Sequence, residues 1–264
     1  MGSRKSPPVI LTFGGFDPTG GAGVLRDAKA ASGAGAYAAC VASCVAVQST
    51  AAFDRIVPLH REAIVRSLFC AAKSYRFRAV KIGMVGTRAA AEAILSFLSR
   101  RSRLPVVLDP VLRASSGGAL LARDALPPYR ELLRRSSVIT PNLPEIEKIL
   151  NRKVGTFGEA MISARDLSYE TGAAVVLKGG HFPWKGRKGI DIVFERSRVT
   201  LLAPGGKVRQ VDAHGTGCAF ASALAARLAL GDPVAEAARN AKALLERWIA
   251  GGFLSAEGRW TLFP

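Results

Sequence analysis

One pattern governs the chain: short runs that are apolar throughout, each leading into a stretch of helical spacing. "VILTFGG" (9–15) leads into a helix over 21–35. "CVASCVAV" (40–47) leads into a turn, the β-type "DRIVPL" and the amphipathic "REAIVRSLFCAAKSYR" (61–76). "AVKIGMV" (79–85), "PVVLDPV" (105–111), "SVITPN" (137–142) and "AAVVLKGG" (173–180) continue the series, with the helices "RAAAEAILSFLSRR", "PYRELLRRS" and "LPEIEKIL" among them. A strand with one wet face alternates polar and apolar residues. These do not, so both faces must be covered, as in a parallel sheet between two layers of helices. Each return to a parallel neighbour is then a right-handed crossover, and the fold class is α/β. After Gly180 the rhythm changes to a loop and an antiparallel hairpin turning near Glu195–Ser197. Helices over 216–230 and 233–250, parted by Gly231-Asp232-Pro233, follow. With no linker or repeat in 264 residues, the expectation is a tail over 1–8 and a single domain over 9–264.

Hydrophobic residues make up 49 % of the chain and charged residues 22 %, which supplies a large core. No segment reaches the roughly 18 uninterrupted apolar residues of a membrane span. The N-terminus reads as a first strand rather than a secretory signal, so a cytoplasmic protein is expected. Cys40, Cys44, Cys70 and Cys218 form no CxxC pair and have no histidines at zinc-finger spacing. Cys40 and Cys44, inside an apolar run, read as core thiols. The net charge of +17 raises the question of nucleic acid. Its lysines and arginines are scattered through "KSYRFRAVK", "SRRSR", "LLRRSS", "NRK" and "WKGRKG", with no nucleic-acid-binding motif. A solvated basic surface that attracts phosphate-bearing small molecules is the reading that remains, with neither nucleic acid nor membrane as partner.

In an open parallel sheet, ligands sit beyond the carboxyl ends of the strands. Asp17, Gln48, Met84, Asp109, Asn142 and Lys178 all fall there, which points to one shared cleft. "GGFDPTGGAG" (14–23) does not spell the dinucleotide fingerprint GxGxxG, and no GxxxxGK[ST] occurs, so a Rossmann dehydrogenase fits poorly. "HGTGCAF" is the stronger phosphate candidate. Amides of residues 215–218 at a helix start have no helical acceptor and lie at the positive end of the helix dipole. Read alone, such a turn serves either an anion or close packing. His214 reads as a hydrogen-bonded loop residue, and Asp27 as a helix cap, a solvated acid or a ligand group.

The segments "GGFDPTGGAGVLRDAKA", "AVQST", "KIGMV", "VVLDPV", "TPNLPE", "VLKGGH" and "AHGTGCAF" occur in the order found in the ribokinase-like superfamily. More narrowly, the chain resembles the hydroxymethylpyrimidine/phosphomethylpyrimidine kinases of thiamine biosynthesis over residues 9–250. The resemblance implies a three-layer α/β/α sandwich with a mostly parallel sheet and a small β flap near 53–58. It implies ATP as co-substrate, Mg²⁺, and a small aminopyrimidine alcohol or its monophosphate as acceptor, in what is often a homodimer. Cys218 then stands where sugar kinases of the superfamily carry a proton-accepting Asp. A helix N-terminus would suit it by drawing a thiol down from about 8.5. Gly215, Thr216 and Gly217 complete the anion hole. Gln48 matches the reader of the aminopyrimidine ring, while Gly15, Asp27, Met84 and Val111 match the rest of the substrate pocket. Lys178 matches a lysine near the ATP phosphates, and Asn142 and Glu145 match an NxxE element that organises Mg²⁺ and its waters. Asp109 matches a carboxylate near the metal. Asp109 and Glu145 are thus the metal candidates, partly through water. Phe16 and Ser49 depart from the family's usual Ser and Asn. A pyridoxal kinase of the same branch and a non-catalytic ligand-binding protein on this fold are the alternatives.

Overall fold

A computed structural model describes residues 6–112, 118, 120–180, 182–206 and 213–263. Residues 1–5 of the expected tail and 113–117 of the Ser/Gly loop lie outside the described residues. The strands are β1 (Val9–Phe16), β2 (Tyr37–Gln48), β3 (Phe53–Pro58), β4 (Phe77–Ile82), β5 (Val106–Leu108), β6 (Val138–Ile139), β7 (Ala174–Leu177), β8 (Asp191–Glu195) and β9 (Arg198–Leu202). Three further short strands are β10 (Ala213–His214), β11 (Phe253–Leu254) and β12 (Trp260–Thr261). The helices are α1 (Gly23–Gly33), α2 (Arg61–Ser74), α3 (Arg88–Ser99), α4 (Leu126–Arg135), α5 (Leu143–Leu150), α6 (Phe157–Thr171), α7 (Thr216–Leu230) and α8 (Val234–Ala250).

The first nine strands form one sheet in the order β3-β2-β1-β4-β5-β6-β7-β8-β9, parallel from β2 through β7 and antiparallel beyond. Successive residues of each parallel strand feed opposite cores. Ile10, Val107 and Val176 pack with Phe220 and Leu224 of α7 and Trp248 of α8. Leu11, Phe13, Leu108 and Val175 pack on the other face with Ile94, Leu132 and Leu167 of α3, α4 and α6. Two cores explain why the strands carry no polar alternation.

The hairpin between β8 and β9 turns where expected: Arg196 and Ser197 take φ of 46° and 65°, the pair of left-handed residues that a two-residue turn requires. β3 folds back on the last residues of β2, Cys44–Gln48, as an exposed hairpin, the small flap anticipated near 53–58. Because β3 is so short, the first half of β2 is a free sheet edge. Cys40 is therefore exposed rather than a core thiol, whereas Cys44 is buried as expected. A second sheet, β10-β12-β11, ties the start of α7 to the C-terminal hairpin. Its two-residue strands left no periodic trace in the sequence.

Candidate active site

The site assembles where α7 begins. Gly215 has φ 76°, and a Cβ there would collide with the carbonyl oxygen of Gly21, so glycine lets two loops touch. Ala219 N–H donates to Gly215 O at 2.9 Å as the helical ladder opens. The amides of Thr216, Gly217 and Cys218 precede that bond and stand at the helix's positive end. A Cβ on Gly217 would lie 3.1 Å from Lys178 Nζ and 3.4 Å from Asp109 Oδ2. Lys178, just after β7, pairs with Asp109, just after β5, at 2.7 Å and lies 3.9 Å from Glu145. An amide cradle, an ammonium group and two carboxylates from separate segments thus meet in one place.

Asn142 and Glu145 owe their positions to a capping box on α5. Asn142 Oδ1 accepts Glu145 N–H at 2.9 Å, and Glu145 Oε2 accepts Asn142 N–H at 2.7 Å. Burial, with Asp109 adding to it, raises the Glu145 carboxyl to about 7 against the opposing pull of Lys178. The folded state therefore holds this proton more tightly than the unfolded state, whose value is near 4.5. Its stabilising contribution is complete below pH 4.5 and is lost as pH rises through about 7. Glu145→Gln should gain about 3 kcal/mol relative to the parent chain between pH 4.5 and pH 7.5, as read by urea unfolding.

Asp17 organises the turn after β1. Its carboxylate accepts Thr19 N–H at 2.9 Å, Thr19 Oγ1 at 2.8 Å and Ala22 N–H at 2.8 Å, with His214 Nε2 at 3.3 Å. Burial opposes its ionisation, but these hydrogen bonds prevail and hold its pKa below the usual value. Where a substrate pocket was expected, the Met84 methyl group occupies the space a Cβ on Gly15 would need, and Cys44 Sγ lies 3.4 Å from that point. Ser43 Oγ donates to Met84 O at 2.7 Å and fixes that segment. Gln48 ends β2 half-buried. Its amide makes no hydrogen bond among the described residues, which leaves donor and acceptor for a ligand. Val111, also half-buried, follows Asp109. Hollows of about 330 and 710 Å³ lie elsewhere, lined in part by Arg76, Arg101 and Arg103 and by Arg196, Arg198 and Asp232. Converging chemistry, not depth, marks this site.

Asp27 is neither a cap of α1 nor a solvated acid. It is fully buried, and its Oδ1 accepts Lys81 Nζ at 2.7 Å and Ser222 Oγ at 2.8 Å, while Oδ2 has no partner among the described residues. Sequence reasoning passed over Lys81 and Ser222, although a lone lysine in an otherwise apolar strand was a signal. The expectation for Cys218 is also reversed. Burial pushes its thiol up to about 11, with Asp27 and Asp109 adding to the rise. The Lys81 ammonium and a hydrogen bond from Gly23 N–H act in the opposite direction without prevailing.

A family model for phosphomethylpyrimidine kinase matches residues 17–261. The chain belongs to the phosphomethylpyrimidine kinase family. Among similar members, the hydroxymethylpyrimidine/phosphomethylpyrimidine kinase of Rhizobium meliloti (strain 1021) is 36 % identical over 244 residues, 92 % of this chain and 90 % of the relative. The thiamine biosynthesis multifunctional protein ThiED of Corynebacterium efficiens is 34 % identical over 237 residues, 89 % of this chain. The chain spans 32 % of that longer protein. A crystal structure of phosphomethylpyrimidine kinase from Clostridium difficile 630 superposes with a TM-score of 0.79 at 27 % identity, covering 91 % of this chain and 98 % of its own. A Bacillus subtilis pyridoxal kinase, solved as an ADP complex, gives 0.84 at 25 % identity over 97 % of both chains. The ribokinase-like fold is thus the one observed, and members of this kinase family are phosphotransferases.

Proposed function

We propose that this kinase transfers the γ-phosphoryl group of ATP to the hydroxymethyl oxygen of 4-amino-5-hydroxymethyl-2-methylpyrimidine, and then to the resulting monophosphate, in thiamine biosynthesis. The observation that carries this reading is the meeting of the 215–218 amides with Lys178 and Asp109. Phosphoryl transfer is mostly positioning and charge stabilisation, and fixed donors aimed at the migrating group supply both. Lys178 steadies the nucleotide phosphates. Gln48 offers the pyrimidine a donor and an acceptor, and Met84, Gly15 and Val111 shape the wall against its ring. Asp109 and Glu145 would hold Mg²⁺, partly through water. Two carboxylates beside a phosphate site suit a hard cation that keeps several waters, and the ion would neutralise phosphate charge when bound. Cys218 receives the hydroxyl proton. Its neutral thiol must first be drawn down, and Lys81 already pulls in that direction.

The same reading makes the kinase a single domain over 9–264, a homodimer and a cytoplasmic enzyme, acting on small molecules rather than nucleic acid or membrane. Among the described residues no helix is long and apolar enough to cross a membrane. The pyridoxal kinase reading draws support from the 0.84 superposition on the Bacillus subtilis enzyme. A coupled ADP-release assay with the pyrimidine alcohol, its monophosphate and pyridoxal side by side separates the two. Faster turnover of both pyrimidines is expected. A strong preference for pyridoxal overturns the substrate, and binding without ADP release from any acceptor overturns the kinase.

A further inference from the structure

The C-terminal hairpin reaches the turn that follows Gln48. β10, which runs into the amide cradle, pairs with β12 through Ala213–Trp260 and His214–Thr261. β12 and β11 form a hairpin whose tip is closed by Ser255 N–H to Arg259 O at 2.8 Å and Gly258 N–H to Ser255 O at 3.0 Å. From that tip, Glu257 Oε1 accepts Ser49 Oγ at 2.8 Å. Its Oε2 accepts Thr50 Oγ1 at 2.6 Å and Ala51 N–H at 3.2 Å. The Thr50 and Ser255 hydroxyls lie 2.9 Å apart. All of these donors to Glu257 belong to the three residues that follow Gln48. The hydrogen bonds from Thr50 and Ser49 hold the Glu257 carboxyl below its usual value, so it accepts them as a carboxylate at neutral pH.

Residues 49–52 otherwise form a solvent-facing turn, closed by Ser49 N–H to Ala52 O at 2.8 Å and by Ser49 Oγ. Such a turn has little buried surface to hold it still. The single carboxylate that grips it comes from a hairpin laddered to the phosphate cradle. We infer that Glu257 is a positioning residue for substrate recognition: it fixes the Gln48 turn relative to the 215–218 amides. The inference rests on the proposed role of Gln48. Without the grip the turn must be ordered when substrate binds, which weakens binding while leaving the phosphoryl-transfer step intact.

The test uses Glu257→Ala and Glu257→Gln in the full chain. Glu257→Ala should raise KM for the pyrimidine alcohol about fivefold, with kcat and KM for ATP changed less than about twofold. Glu257→Gln, which keeps one acceptor oxygen, should recover part of that loss. In a Ser49→Ala/Thr50→Ala background, Glu257→Ala should have a smaller effect than in the parent chain. Amide hydrogen exchange over 48–53 should quicken in Glu257→Ala without any substrate present. If no acceptor is turned over by the parent chain, the functional reading fails while exchange still reports on the grip. Unchanged exchange overturns the inference. So does quickened exchange with an unchanged pyrimidine KM, or with kcat falling alone.

Discussion

Cys218→Ala is expected to lower kcat at least about 100-fold, the usual scale for losing a positioned proton acceptor, while ADP affinity stays within about twofold. Stopped-flow turnover and calorimetric ADP titration measure the two quantities separately. The split follows from geometry. The cradle amides belong to the backbone and survive the substitution, as does the Lys178–Asp109 pair at 2.7 Å. Only the sulfur is lost. Near-normal turnover in the variant would remove Cys218 from the chemistry and leave phosphoryl transfer to the cradle and Lys178. Because burial puts the resting thiol near 11, its alkylation by iodoacetamide should be slow at neutral pH and should quicken steeply above pH 9.

Lys81→Met should destabilise the protein by about 3–5 kcal/mol, the cost of leaving a buried charge without its partner. Lys81 and Asp27 have side chains 1 % and 0 % exposed. Among the described residues, removing the ammonium leaves Asp27 with the Ser222 hydroxyl as its remaining donor and an Oδ2 without a partner. Burial already raises the Asp27 pKa, so the variant's deficit should shrink as pH falls and the carboxyl takes up a proton. Lys81→Met/Asp27→Asn should recover a large part of the loss, because the orphaned charge is gone. Urea unfolding of the three chains at pH 5 and pH 7.5 measures this. An unchanged midpoint in Lys81→Met would mean that the pair contributes nothing net.

The layer order was legible because parallel strands covered on both faces have no polar beat, and each apolar run had a helix behind it. The residues gathered at the cleft were legible for a related reason: the carboxyl ends of parallel strands all face one side, so Asp109 and Lys178 could be placed together without coordinates. What escaped the sequence depends on distant packing. Lys81 stands out in its apolar strand, but its partner does not: Asp27 lies 54 positions away and is held in turn by Ser222 of α7, near the opposite end of the chain. The Cys218 thiol was misjudged because a helix start is a local feature whereas desolvation is not. The Glu257 grip was invisible because strands of two residues have no period, and Ser49 and Glu257 are 208 positions apart.

The placement of α7 has a consequence for biosynthesis. It covers the face of the sheet where α1 lies, and it brings Ser222 to Asp27, while the segment after α8 brings the Leu262 carbonyl to the buried Arg26. A nascent chain halted before Ala213 would carry Arg26 and Asp27 with those contacts unmade and much of one core open to water. Such fragments should be readily cleared by proteolysis. Completion of the fold and completion of the phosphate site would then be the same late event, so that truncated copies would not persist as idle competitors for nucleotide.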